Sequence, residues 1–295
     1  MLNPPLSLLS DELLAYIVEH VAKLPSSDEH LYSLSLADRA FTQSCQKYIF
    51  RTLKLSDSGG PMKKISKKLK RTQKLLNDKA SFAHQVRTVQ LAISHKQNAW
   101  FFNDPNPPNN PTLISIFQPL AKSPMPPHEL HFGGQMFRPL IIEDPILVVR
   151  WLAQSFFSQT LTVLHLKEIT NVPFPLLLIC PRLREVHLDC VGITEESHNK
   201  YPDNLCSGQE LPALEVLNYR DSQSLVKQMI TPPPRFNTLG VFWSNLRVLT
   251  LSPHEKEEMA CLQPILDAAN NTLEELYLTS LKVGRCRWSA FYDMK

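Results

Sequence analysis

The first apolar pattern along the chain is helical. Leu13, Leu14, Ile17, Val18 and Val21 recur at spacings that place them on one face of a helix. Ser10 just ahead is a good N-cap, Leu9 and Leu14 have the spacing of a hydrophobic staple, and Asp11 and Glu12 fall where the helix dipole favours anions. A second run of short apolar clauses extends from Leu31 to Leu53. After the turn-forming residues Ser56 to Pro61, Ile65, Leu69 and Leu76 predict another helix with a single apolar stripe.

From Val86 the period shortens. V-R-T-V-Q-L (Val86 to Leu91) returns as L-T-V-L-H-L from Leu161, L-R-E-V-H-L from Leu183, L-R-V-L-T-L from Leu246 and L-E-E-L-Y-L from Leu273. A weaker copy, L-E-V-L-N-Y, starts at Leu214. Each copy is apolar at positions 1, 4 and 6, the strand signature of a leucine-rich repeat. Counted from Leu164 through Val186, Leu217 and Leu249 to Leu276, the intervals are 22, 31, 32 and 27 residues. Ordinary repeats run to about 20–29 residues, so the array is irregular. Ile146, Val149, Ala153 and Phe156 have the spacing of a return helix, as do Leu262, Ile265, Leu266 and Ala269. Pro173 to Leu183 resembles the turn, short helix and following strand of leucine-rich-repeat proteins. The proline-rich stretches Asn103 to Pro111, Lys122 to Pro127 and Thr231 to Pro234 are expected to be loops. The end of the chain leaves two expectations of equal weight: Trp288, Phe291 and Tyr292 fold back over the last strand as a cap, or the sequence is truncated there.

The two N-terminal clauses together resemble the F-box, in the divergent form abundant in basidiomycete fungal proteins. Leu9, Glu12, Leu13, Leu14, Ile17, Leu34, Ser35, Leu36, Arg39, Phe41, Cys45, Phe50 and Leu53 carry the resemblance, which covers about the first fifth of the chain. Ser10 stands where that family usually has proline. The expected fold is α/β: an F-box-like helical unit over 1–55, a basic helical linker over 56–80, and an irregular leucine-rich-repeat solenoid over 81–295. The resemblance implies a substrate-recognition subunit of a cullin-type ubiquitin ligase. It would dock a Skp-type adaptor through Leu9, Ser10, Leu13, Leu14, Ile17, Leu34 and Phe41, and hold an unknown protein substrate on its repeats. The alternative is a non-enzymatic leucine-rich-repeat scaffold with no ubiquitin role.

Composition narrows the remaining possibilities. The 295 residues are 43% hydrophobic and 20% charged, as expected of a globular protein with a buried core. The net charge of +3 conceals seven bases between Lys63 and Lys74; without them 24 bases face 28 acids, a net of −4. That basic run is weighed as a solvated helix face against a nuclear-import or nucleic-acid segment. The slightly acidic remainder makes nucleic acid an unexpected partner. Six cysteines form no C-x-x-C pair, which favours a reducing cytoplasmic or nuclear compartment. No apolar run approaches the roughly 20 residues that span a bilayer, so a soluble protein is expected.

Chemistry-bearing motifs are absent from this reading. With only 8 glycines against 24 prolines, no phosphate-cradling or nucleophile-elbow motif occurs. His128 and His131 are three apart, but they lack the H-E-x-x-H spacing and are read as surface or strand histidines. Cys45 lies on an apolar helix face with Phe41 and Ile49 and is read as core. No catalytic residue, metal ligand or cofactor is therefore expected.

Overall fold

The first element, α1 (Asp11–Ala22), begins where the sequence places it, with the Ser10 side chain accepting from the Leu13 backbone N–H at 3.4 Å. α2 (Ser27–Ala37) and α3 (Arg39–Ile49) follow, and Asp38 caps α3 by accepting from the Ala40 N–H at 2.9 Å. The computed structural model describes residues 9–24, 26–56, 62–93, 111–134, 140–193, 212–231, 242–252 and 259–279. The three helices share a small core of Leu14, Val18, Leu31, Phe41 and Cys45, separate from the main one.

Nine strands then build one parallel sheet. β1 (Thr52–Ser56), β2 (Thr88–Ala92), β3 (Glu129–Gly133), β5 (Val163–Thr170), β6 (Glu185–Val191), β7 (Val216–Arg220), β8 (Val248–Ser252) and β9 (Glu275–Leu278) lie side by side in chain order. The short β4 (Leu140–Ile141) pairs with the far end of β5. Register is direct, so Leu130 lies beside Leu164, Val186, Leu217 and Leu249 in turn, and His131 beside His165 and His187.

Helices cover one face. α4 (Met62–Asp78) packs on α6 (Pro111–Ala121), with α5 (Ala80–Ala83) between them in sequence. α7 (Pro145–Gln154), α8 (Phe157–Thr160), α9 (Pro175–Leu178), α10 (Gln223–Ile230) and α11 (Leu262–Ala268) complete the layer. Their apolar residues, among them Trp151, Phe157, Leu177 and Ile265, join the inward strand residues in one continuous core. The strands alternate buried and half-buried positions, as in the pattern iBiBeiBi of β5. Parallel sheets are usually covered on both faces and read as unbroken apolar runs. This alternation instead marks a sheet with one face left open.

Two backbone features shape that open face. Glu168, Cys190 and Asp221, at φ 50°, 55° and 45°, adopt left-handed conformations at or near the ends of β5, β6 and β7. Gly133 ends β3 so close to β5 that an added Cβ would collide with the Lys167 carbonyl oxygen.

The expected fold is corrected. The helical unit followed by an irregular leucine-rich-repeat solenoid gives way to a single nine-stranded, largely parallel sheet with helices. β1 straddles the expected boundary at residue 55, and the expected helical linker contains α4, whose Ile65, Leu69 and Leu76 are buried in the main core. The physical reason is that an L-x-x-L-x-L clause specifies only which strand side chains face inward. Any parallel strand buried on one face satisfies it. The expected strands and return helices form, and Pro173 to Leu183 contains the short helix α9. The expected C-terminal fold-back of Trp288, Phe291 and Tyr292 lies outside the described residues, as do most of the proline-rich loops.

Candidate functional site

Two surfaces are candidates for function. The first is the outer side of the helical unit. Of the residues assigned to adaptor docking, Leu13 is 52% exposed and Ser10 is exposed as the N-cap, while Leu9, Ile17 and Leu34 are half-buried. Leu14 and Phe41 are buried in the unit's own core, where they hold the helices together. Other apolar residues of the unit are exposed. Tyr16 is 61% exposed and lies one turn from Leu13 on α1, while Tyr32 and Leu36, the latter 87% exposed, lie one turn apart on α2.

The second surface is the open face of the sheet. Because the register is direct, one polar residue from each of the eight side-by-side strands falls into a row: Lys54, Gln90, His131, His165, His187, Asn218, Thr250 and Tyr277. The three imidazoles stack, with ring centroids 4.0 Å apart between His131 and His165 and 4.1 Å between His165 and His187. Beside them Glu129 projects from the same face of β3, two residues before His131. Its Oε1 lies 2.7 Å from His131 Nε2 and 3.5 Å from His165 Nε2, and its Oε2 accepts from Thr88 Oγ1 at 2.7 Å. Hydrogen bonds from His131, then His165, then Thr88 hold the Glu129 carboxyl far below the usual carboxylate range. Burial, followed by the neighbouring charges of His165 and His131, lowers His187 to about 4.

A further row carries complementary charge. Asp189 accepts from Arg220 Nε at 2.7 Å, and Lys167 Nζ approaches its other carboxylate oxygen at 3.5 Å. The open face therefore alternates sign over a few ångströms, a surface suited to polar recognition.

Histidines 128 and 131, weighed together in the sequence, do not meet as a pair on a helix. His128 immediately precedes β3 and His131 lies within it, and a three-residue step along extended chain places side chains on opposite faces. His131 meets His165 instead, 34 residues further on. The signal was present: H-E-L-H-F and L-H-L place a histidine between the two inward apolar residues, and H-L recurs at His187. What the sequence could not show was that these strands are neighbours.

The cysteines divide. Cys45, Cys180 and Cys261 are buried and not disulfide-bonded, burial pushes the Cys180 thiol up to about 12, and it also raises Cys45. None has the accessible, electropositive setting of a reactive thiol. Cys190 is disulfide-bonded, so the cysteines taken together do not carry the expectation of a reducing compartment. Among the described residues no helix is long and apolar enough to cross a membrane. The chain matches no protein-family model and no curated protein.

Proposed function

We propose that the chain is a substrate-recognition subunit of an SCF-type cullin ubiquitin ligase. In this reading α1 and α2 dock a Skp-type adaptor, and the open sheet face holds a protein target. The observation that carries it is a three-helix unit with a core of its own, five buried residues deep, that still exposes Leu13, Tyr16, Tyr32 and Leu36. A unit that existed only to close the sheet would not need that outer apolar face. The chain performs no chemistry; it raises the effective concentration of target near the ligase. Skp-type adaptors act in the cytoplasm and nucleus, and the reading places the chain there.

A second reading has its own support. Lys54 on β1 pairs with Asp28 on α2 at 2.9 Å, and Phe50 stacks on Phe82 at 4.2 Å. The first contact holds the helical unit against the first strand of the sheet and the second against α5, as a scaffold cap with no ubiquitin role would require.

Binding of the full chain to a purified Skp-type adaptor separates the two. The adaptor reading expects tight binding that drops at least tenfold in Leu13→Asp and in Leu36→Asp, with unchanged circular dichroism. Both positions are solvent-facing, so the fold tolerates the charge. A folded wild-type chain that does not bind the adaptor leaves the scaffold reading in first place.

A further inference from the structure

We propose that Glu129, His131 and His165 form a binding site for a first-row divalent transition metal, with Zn2+ as the probe ion. The proposal rests on the open sheet face alone and stands whether or not the chain docks an adaptor.

The donor set is the first argument. Two imidazole nitrogens and one carboxylate oxygen are a common ligand set for such ions, and imidazole favours zinc, copper and nickel over the hard ions Mg2+ and Ca2+. The three ligand atoms lie within 4.8 Å of one another. Zinc bonds of about 2.0–2.2 Å imply tetrahedral ligand-to-ligand edges of about 3.4 Å. The Glu129 oxygen stands 2.7 Å and 3.5 Å from the two nitrogens, on either side of that edge. Glu129 Oε1 and His131 Nε2 stand at hydrogen-bond distance; an ion between them would need Nε2 free of its proton, which would pass to Nδ1 or to solvent.

Support and access are the second argument. Two ligands come from alternate positions on β3 and the third from the paired position on β5, so the ladder hydrogen bonds fix all three backbones. Thr88 holds the second Glu129 oxygen and orients the carboxylate, as outer partners do in metal sites. His187 stacks on the far side of His165 with an interplanar angle of 4° and acts as a positioning residue. The His131 and His165 side chains are 35% and 29% exposed, so they have room to turn. That freedom is needed, because their rings lie only 20° from parallel and must splay for both nitrogen lone pairs to meet one ion. Solvent on the open face completes the coordination, which makes this an open three-ligand site.

The test is calorimetric titration of Zn2+ into the full chain after chelator treatment and buffer exchange. The expected result is one saturable equivalent, with affinity lowered at least tenfold in each of Glu129→Gln, His131→Asn and His165→Asn. His84→Asn, on an exposed histidine remote from the row, is expected to bind as the wild type does. Mg2+ and Ca2+ are expected to give no saturable heat. In case a variant misfolds, imidazole 15N NMR of the wild-type chain gives an independent readout. Zn2+ should displace the Nε2 resonances of His131 and His165 and leave that of His84 in place. Wild-type binding that survives loss of both imidazoles, no saturable binding at all, or zinc shifts confined to other histidines would each overturn the proposal.

Discussion

At the scale of single residues, the open face is held by contacts that leave little tolerance. Gly133 is the sharpest case, since a methyl group there meets the backbone carbonyl of Lys167, which cannot move without breaking the ladder. Gly133→Ala is expected to destabilise the chain by about 1–3 kcal/mol, the usual cost of overpacking, measured by urea unfolding. A stability equal to wild type would mean that β3 and β5 separate freely at this end. His187 supplies a pH signature. Its folded value of about 4 lies below the ordinary 6.5, so between those values the unfolded chain binds the extra proton. Stability therefore rises with pH across that window and falls as pH drops from 6.5 towards 4, by up to about 3 kcal/mol at 1.36 kcal/mol for each tenfold. Glu129, whose carboxyl is held low, loses its contribution only below about 4.5, the ordinary value. In chelator-containing buffer, His187→Gln should flatten the upper part of this profile and leave the acid limb. An unchanged slope between pH 6.5 and 4.5 would show that burial of His187 costs nothing.

At the scale of elements, legibility depended on whether a local pattern sufficed. α1 was readable because cap, first-turn acids and apolar stripe all lie within a dozen residues of each other. α4 was equally readable, since Ile65, Leu69 and Leu76 alone determine its buried side and leave Lys64, Lys67, Lys68, Lys70, Arg71 and Lys74 exposed. Two strands escaped notice although they carry the same clause as the others. Phe50, Leu53 and Leu55 stand at positions 1, 4 and 6 around β1, and Pro127, Leu130 and Phe132 around β3, but neither begins with leucine. Aromatic and proline substitutions at the first position hid them, although each residue still packs as an apolar group. Within the docking set, Leu13 and Leu14 are adjacent in sequence yet one is half exposed and the other 4% exposed. Their helical phase differs by about 100°, and only the placement of α2 and α3 decides which of the two is covered.

At the scale of the whole molecule, two cores of unequal size imply unequal local stability. The helical unit has five buried apolar residues, whereas the core under the sheet runs from Leu55 to Ala269. Opening of α1–α3 exposes far less surface than opening of the sheet, so their amides are expected to exchange at least tenfold faster than those of β5 and β6 in native-state hydrogen exchange. Equal protection in both would mean that the tethers through Lys54–Asp28 and Phe50–Phe82 couple the two cores into one cooperative unit. By itself the sequence determined the periodicities, and with them which side chains turn inward on each helix and most strands, because those rules operate over a few residues. Only the tertiary structure decided that the strands lie in chain order and direct register. That order gathers His131, His165 and His187 from three separate strands into one row on the open face, with Glu129 beside them. Their proximity is a property of the sheet, since strand spacing is fixed by backbone hydrogen bonds that no local pattern of side chains encodes.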